Sequence, residues 1–144
     1  MTKKEYRYLL IKKNLRWEIP LSFLRQFDLA KLTLLNSMIG HQDTASWSAQ
    51  DYMAYVSRFY YDPAFEACYT LWQDSGYMRS LRPTLDHVRP RADGGRFVLE
   101  NLQILPWCIN RMKGDANQIE WQTVRDLFLR TSKSSTAKTY MRWL

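Results

Sequence analysis

The sequence predicts an α+β fold that is mostly helical and contains one small strand–loop–strand–helix unit. Apolar residues recur at helical spacing through much of residues 20–76. The pattern changes after Pro83, where two short apolar stretches flank a loop with the turn signal Gly94-Gly95. Helical spacing returns after Pro106. We therefore expect helices on both sides of this unit.

The helices before the unit are predicted from their caps and periodicity. Residues 1–16 are rich in Lys and Arg, which indicates either a solvated helix face or frayed terminus, or an arm that contacts phosphates. Residues 20–39 should form a helix that ends near Gly40. Ser48 is expected to cap a second helix that runs to about Tyr61.

A third helix is predicted to start at Asp62-Pro63, an N-cap followed by a first-turn proline, and to end near Gly76. The aromatic stripes on the second and third helices are interpreted as core rather than as a surface for base stacking.

The unit itself is predicted as a strand over residues 84–88, a loop over residues 89–96 and a second strand around Leu102 and Ile104. A helix should follow from Pro106 to Gly114. A capping-box pattern at Asn117 predicts a last helix that ends near Arg130.

The whole chain, residues 1–144, is predicted to be a single domain. It divides into a helical part of unknown role (1–78), the core unit with the following helix (79–130) and a basic tail (131–144).

Composition narrows the class of partner. The formal net charge is +7, from 21 Lys and Arg against 14 Asp and Glu. This excess favours a polyanion such as nucleic acid, or an anionic membrane surface. No apolar run approaches the roughly 20 residues that a membrane-spanning helix needs. The N-terminus lacks the apolar stretch of a signal peptide. We therefore expect a soluble, cytoplasmic protein with no membrane partner.

The two cysteines, Cys68 and Cys108, do not form a Cys-x-x-Cys pair, so no structural zinc is expected. Both are interpreted as small buried hydrophobic residues rather than reactive thiols. A lone histidine is usually structural, and this is the interpretation of His41.

The candidate chemistry lies at Asp86-His87, Asn101 and Asn110. The carboxylate of Asp86 and the amide oxygen of Asn110 are ligand types that suit Mg²⁺ or Mn²⁺, with positions left for water and phosphate oxygens. His87, with an ordinary pKa near 6.5, is the candidate general base for activating a water. Asn101 is grouped with it as the residue that fixes the loop and, through the loop, the imidazole.

These residues resemble the HNH endonuclease family, whose ββα-metal core has an Asp-His pair, a middle Asn and a His or Asn in the helix. The resemblance is carried by LDHVRP at residues 85–90, GG at 94–95, ENLQ at 100–103 and NRMK at 110–113. It covers about 30 residues. It implies that His87 is the general base, that Asp86 and Asn110 are the metal ligands, and that Asn101 is structural. The third motif residue is Asn rather than His, and the cysteine pairs of zinc-stapled members are absent.

The resemblance implies a hydrolase that cleaves DNA with a divalent ion, Mg²⁺ with Mn²⁺ as a substitute. The looser likeness of residues 69–83 to phage-type members implies a chain encoded by a phage or a bacterium. An accessory protein for DNA binding or phage packaging, with this fold and little catalysis, is the alternative. An RNA substrate is a further one.

DNA contacts are expected from charged side chains in and beside the loop and on the last helix of the unit. The candidates are Arg89, Arg91, Arg96 and Lys113. Lys113 is preferred over Arg111 because it lies nearly one turn after Asn110. Sequence specificity and oligomeric state stay open, so both a monomer that nicks and a dimer that cuts both strands are compatible with the sequence.

Overall fold

The structure is a computed structural model that describes residues 1–40, 42–115, 119–123 and 126. The chain forms two compact units, Met1–Asp62 (unit 1) and Pro63–Leu144 (unit 2). The described residues are mostly helical, with a two-stranded antiparallel sheet. This confirms the α+β class.

Unit 1 is built from helices with caps that the sequence provides. Ser48 and Asp51 form a capping box, in which each side chain accepts a hydrogen bond from the backbone N–H of the other residue. Thr2 caps the first helix by accepting from the Glu5 backbone N–H. The helices are α1 (Lys3–Asn14), α2 (Leu21–Leu24), α3 (Leu29–Ile39) and α4 (Ala49–Tyr60).

The prediction of a single helix over residues 20–39 is wrong, because the structure contains two helices there, α2 and α3. Asp28 is the N-cap of α3, because its side chain accepts a hydrogen bond from the Lys31 backbone N–H. The apolar spacing continues across the gap and hides the new start. Gly40 does follow α3 as predicted.

The aromatic stripe on α4 belongs to the core of unit 1, as predicted. Tyr52, Tyr55 and Phe59 are fully buried. The two tyrosine hydroxyls are satisfied, because Tyr52 donates to Asn36 Oδ1 at 2.6 Å and Tyr55 donates to the Leu35 carbonyl at 2.7 Å. Buried hydroxyls with partners carry little desolvation penalty, so these rings stabilise the unit by their apolar area.

Unit 2 places its strands between helices. Phe65 and Cys68 are the buried residues of its first helix, which begins at the predicted proline. The elements are α5 (Pro63–Asp74), β1 (Pro83–His87), β2 (Leu102–Pro106) and α6 (Trp107–Lys113), with 3₁₀ turns at Arg79–Leu81, Arg91–Asp93 and Leu99–Asn101. The predicted strands and the helix between Pro106 and Gly114 are confirmed.

The strands form a hairpin in which Asp86 pairs with Gln103 and His87 pairs with Leu102. Both α5 and α6 pack on β1 and β2. Because α5 lies against the sheet, the compact unit that contains the strands starts at Pro63, whereas the sequence division placed this start at residue 79.

Residues 119–123 are helical, which agrees with the predicted last helix, and Trp121 is buried. The Asn117 cap, the end near Arg130 and the tail over residues 131–144 lie outside the described residues. None of the helices in the described ranges is long and apolar enough to cross a membrane.

Candidate active site

The loop between the strands is closed by the side chain of Asn101. Its Nδ2 donates to the carbonyls of Arg89 and Arg96 at 3.1 and 2.9 Å, and its Oδ1 accepts from the Arg89 backbone N–H at 2.7 Å. The Val88 backbone N–H also donates to the Asn101 carbonyl at 2.8 Å. One amide therefore joins both ends of the loop and fixes the chain directly after His87.

Two glycines allow the loop to turn back on itself. Gly94 has a φ of 81°, in the left-handed region that side chains disfavour. A Cβ on Gly95 would lie 1.7 Å from the Arg89 carbonyl oxygen, so no other residue fits there without moving the backbone. The predicted turn at Gly94-Gly95 is therefore present. At Gly95 the backbone passes close to the backbone of Arg89.

Asp86 lies in the interior with only 8% of its surface exposed. Its Oδ2 accepts from Lys113 Nζ at 2.6 Å and from Gln103 Nε2 at 2.8 Å. The same Lys113 ammonium donates to the His87 carbonyl at 2.8 Å. A buried carboxylate needs such partners, because isolated charges in the interior are strongly penalised.

Asn110 reaches the same strand from α6. Its Nδ2 donates to Thr84 Oγ1 at 2.9 Å and to the Leu85 carbonyl at 3.2 Å. Thr84 and Asp86 alternate with Leu85 along β1 and so share a face of the strand. Asn110 and Lys113 are three residues apart and share a face of the helix. Asn110 and Lys113 of α6 thus bond to four consecutive residues of β1, from Thr84 to His87, and the predicted ligands Asp86 and Asn110 both belong to this contact between helix and strand.

His87 ends β1 with a half-buried side chain whose ring centroid lies 5.6 Å from that of Phe97. Burial lowers the pKa of His87 from its ordinary value; the nearby carboxylate of Asp86 opposes this shift, and the charges of Arg91 and Lys113 add to it. The imidazole is therefore neutral at neutral pH, which is the form that accepts a proton.

Among the described residues, the hydrogen bonds given above do not use Oδ1 of Asp86 or Oδ1 of Asn110. Oδ2 of Asp86 is taken by Lys113 and Gln103, while both Asn110 bonds use Nδ2. One carboxylate oxygen and one amide oxygen fit the donor types that Mg²⁺ and Mn²⁺ select.

The predicted DNA-contacting residues fall into two groups. The side chains of Arg89, Arg91 and Arg96 are exposed on the loop. The side chain of Lys113 is fully buried, and its ammonium binds Asp86 and the backbone. This placement disagrees with the expected DNA contact of Lys113, since a phosphate would reach the ammonium only after these bonds had broken. The guanidinium of Arg111 lies over the Trp107 ring, 5.1 Å from the centroid.

The two cysteines differ in burial. Cys68 is buried as expected, whereas Cys108 is only partly buried, and burial raises the pKa of its thiol. His41 lies outside the described residues.

Sequence reasoning missed Gln103 and Thr84, and it gave Lys113 a surface role. Gln103 is identifiable once the hairpin register is known, because it stands opposite Asp86. For Lys113 the sequence showed only its spacing of three residues from Asn110, which places both side chains on one face of the helix but does not show that this face is buried.

Comparisons with known proteins give no match to a family model, to a curated protein or to a solved structure.

Proposed function

We propose that this protein is a metal-dependent DNA endonuclease of the HNH type, which hydrolyses a phosphodiester with a water activated by His87 and one divalent cation. The observation that carries the proposal is the set of hydrogen bonds that two side chains of α6 donate to β1. Asn110 and Lys113 bond to residues 84–87, the stretch of β1 that contains Asp86 and the half-buried His87, and this supports the proposal.

Each residue has a defined task in this proposal. Asp86 and Asn110 hold Mg²⁺, or Mn²⁺ in its place, through their Oδ1 atoms. His87 accepts the proton of the attacking water, and its lowered pKa keeps it ready to do so at neutral pH. Asn101 positions His87 by closing the loop that follows it. When bound, the cation stabilises negative charge at the scissile phosphate.

Substrate attraction comes from exposed charge. Arg89, Arg91 and Arg96 project from the loop that starts two residues after His87, so phosphates that they bind are brought close to the imidazole. The formal charge of +7 supports binding to a polyanion without any requirement for base-specific contacts. A single site of this kind cuts one strand, and a dimer or two successive events would cut both.

One observation favours the second candidate function, a DNA-binding or packaging accessory protein with little catalysis. Lys113 neutralises the carboxylate of Asp86 at 2.6 Å, and an ion pair of this kind also serves a purely structural role. The basic loop would then bind DNA without cutting it.

The test is incubation of the purified protein with supercoiled plasmid in Mg²⁺, in Mn²⁺ and in EDTA, beside His87→Ala. We expect metal-dependent conversion to nicked or linear DNA by the wild type only, with equal DNA binding by both proteins in a gel-shift assay. Equal binding with no conversion by either protein would favour the accessory role. Parallel digestion of a matched RNA duplex tests the substrate class.

A further inference from the structure

The ammonium of Lys113 is buried, which is unusual for a lysine side chain. Lysine side chains are almost never fully buried unless they are paired, and this one has no exposed surface. Its Nζ is bonded to Asp86 Oδ2 and to the His87 carbonyl, at 2.6 and 2.8 Å. It therefore places a positive charge directly behind the carboxylate that is the proposed metal ligand.

The charges around the proposed metal position cancel. Asp86 contributes one negative charge and Lys113 one positive charge, while Asn110 and Gln103 are neutral amides. Mg²⁺ sites in proteins are usually formed by one or two carboxylates together with substrate phosphates. Here Asp86 and Lys113 together present no net negative charge to a divalent ion. A bound phosphodiester would supply the negative charge that the ion needs.

The bonds around Asp86 hold the carboxylate in place as well as neutralising it. Gln103 and Lys113 both bind Oδ2, which leaves Oδ1 on the side of the carboxylate away from these two donors. The geometry of the ligand and its charge can therefore be separated by substitution. A neutral donor at position 113 removes the charge and retains an N–H group on the side of the carboxylate where the ammonium stood.

We propose that Lys113 is a charge-compensating positioning residue that makes divalent-metal binding at Asp86 depend on a DNA phosphate. The free protein binds the metal weakly, and the DNA-bound protein binds it tightly. By thermodynamic linkage, the metal strengthens DNA binding by the same factor. This inference rests on the proposed function, because it assumes that Asp86 is a metal ligand.

The experiment is a titration of Mn²⁺ followed by electron paramagnetic resonance, with and without a short DNA duplex. A His87→Ala background keeps the DNA intact, and a blank with DNA alone corrects for Mn²⁺ bound to the duplex. We expect DNA to tighten Mn²⁺ binding by about 5- to 150-fold, the usual range of coupling between sites.

The variant that isolates the charge is Lys113→Gln in the same background. Without DNA this variant should bind Mn²⁺ about tenfold more tightly than its parent. Adding DNA should then tighten its Mn²⁺ binding much less than in the parent, because the coupling between metal and DNA is reduced by an amount within the usual range. Lys113→Arg keeps the charge and should behave like the parent. Arg111→Gln removes the same charge from an exposed position of α6 and should leave the Mn²⁺ affinity unchanged, both with and without DNA.

Mn²⁺ binding by the parent that is equally tight with and without DNA would overturn the inference, and this comparison needs no variant at position 113. A Lys113→Gln protein that keeps its fold by circular dichroism but binds Mn²⁺ no more tightly would also overturn it. If either result accompanies metal-dependent plasmid cleavage by the wild type, the proposed function survives. If no protein binds Mn²⁺ and the wild type cuts nothing, both proposals fail.

Discussion

The two units of this chain bury different kinds of side chain. Unit 1 surrounds aromatic rings such as Tyr52 and Phe59 with apolar residues, and its buried hydroxyls each meet a neutral acceptor. Unit 2 buries a carboxylate and an ammonium, Asp86 and Lys113, between a strand and a helix. Charge in the interior is costly, and apolar residues of similar volume often stabilise a fold as well or better.

The difference supports placing the proposed chemistry in unit 2. In unit 1 the buried hydroxyls of Tyr52 and Tyr55 join α4 to α3, and their acceptors on Asn36 and Leu35 carry no charge. In unit 2 the buried charges lie next to His87 and Asn110, and the same bonds that hold the fold also orient them. Matched substitutions in the two units can break or sharpen this contrast.

Breaking the buried pair should have the largest effect on stability. Lys113→Met leaves the Asp86 carboxylate buried without its ammonium, and we expect a loss of about 3–5 kcal/mol in the free energy of unfolding. Adding Asp86→Asn to this variant removes the uncompensated charge and should recover most of the loss. Urea unfolding of the two single variants and the double variant measures the coupling.

In unit 1, Phe59→Ala should cost a similar amount, about 3–5 kcal/mol, through the cavity it leaves. Adding a second substitution that removes a charge would not recover that loss. A double variant of Asp86 and Lys113 that is as unstable as the sum of the single variants would contradict the contrast between the units.

Asn101→Ala should destabilise the loop rather than the whole chain. It removes three hydrogen bonds to the backbone of Arg89 and Arg96 that close the loop. We expect the free energy of opening the loop to fall by about 1–3 kcal/mol, because the freed backbone groups are partly exposed. Hydrogen exchange should show faster exchange at the Arg89 backbone N–H, with no change in α4 of unit 1. Equal loss of protection in both units would show that Asn101 supports more than the loop.

Two triple variants with the same change of charge test which unit binds DNA. The first replaces Arg89, Arg91 and Arg96 by Gln, and it should reduce the slope of log affinity against log salt by up to about 0.9 for each phosphate that is no longer neutralised. The second replaces three exposed cations of α1 and should leave the slope nearly unchanged if that helix is only a solvated face. Its positions are Lys3, Arg7 and Lys13.

Fluorescence anisotropy with a labelled duplex at several salt concentrations measures both slopes. A larger change from the α1 variant would move the DNA-binding surface to unit 1 and favour the phosphate-contacting arm over the solvated face.

The smallest predicted effect is a dependence of stability on pH. Because the folded pKa of His87 lies below its unfolded value near 6.5, the unfolded chain binds more protons between these two values. The contribution of neutral His87 is fully present above about pH 6.5 and is lost as the pH falls through its folded pKa. Chemical denaturation from pH 8 to pH 5 should show a shallower acid loss for His87→Gln. An unchanged profile would contradict the burial effect.

The sequence predicted those parts of the fold that local signals determine. The Ser48 capping box, the Asp62-Pro63 start and the Gly94-Gly95 turn each depend on neighbouring residues, and each is present. The break before Asp28 was missed although the cap residue was visible, because apolar periodicity continued through it. The grouping of Asp86, His87 and Asn110 in one site stays a prediction, and the bonds of Asn110 to Thr84 and Leu85 required the hairpin and α6 to form.

The role of Lys113 could not be predicted from local pattern. Its partner Asp86 is 27 residues away in the chain, and a lysine near the end of a short helix is ordinarily exposed. Gln103 depends in the same way on the register of the two strands, since a shift of one residue would turn its side chain to the other face. Interactions of this kind are set by tertiary packing and are visible only in the folded chain.

The most direct test of a catalytic cluster in unit 2 is the single-turnover rate of plasmid nicking in Mg²⁺ and in EDTA. It is measured in parallel for the wild type, His87→Ala and the unit 1 variant Tyr52→Phe. We predict equal rates for the wild type and Tyr52→Phe, a rate lower by about 10²–10⁴-fold for His87→Ala, and no nicking in EDTA. Nicking by His87→Ala at the wild-type rate, or nicking that persists in EDTA, would contradict the assignment.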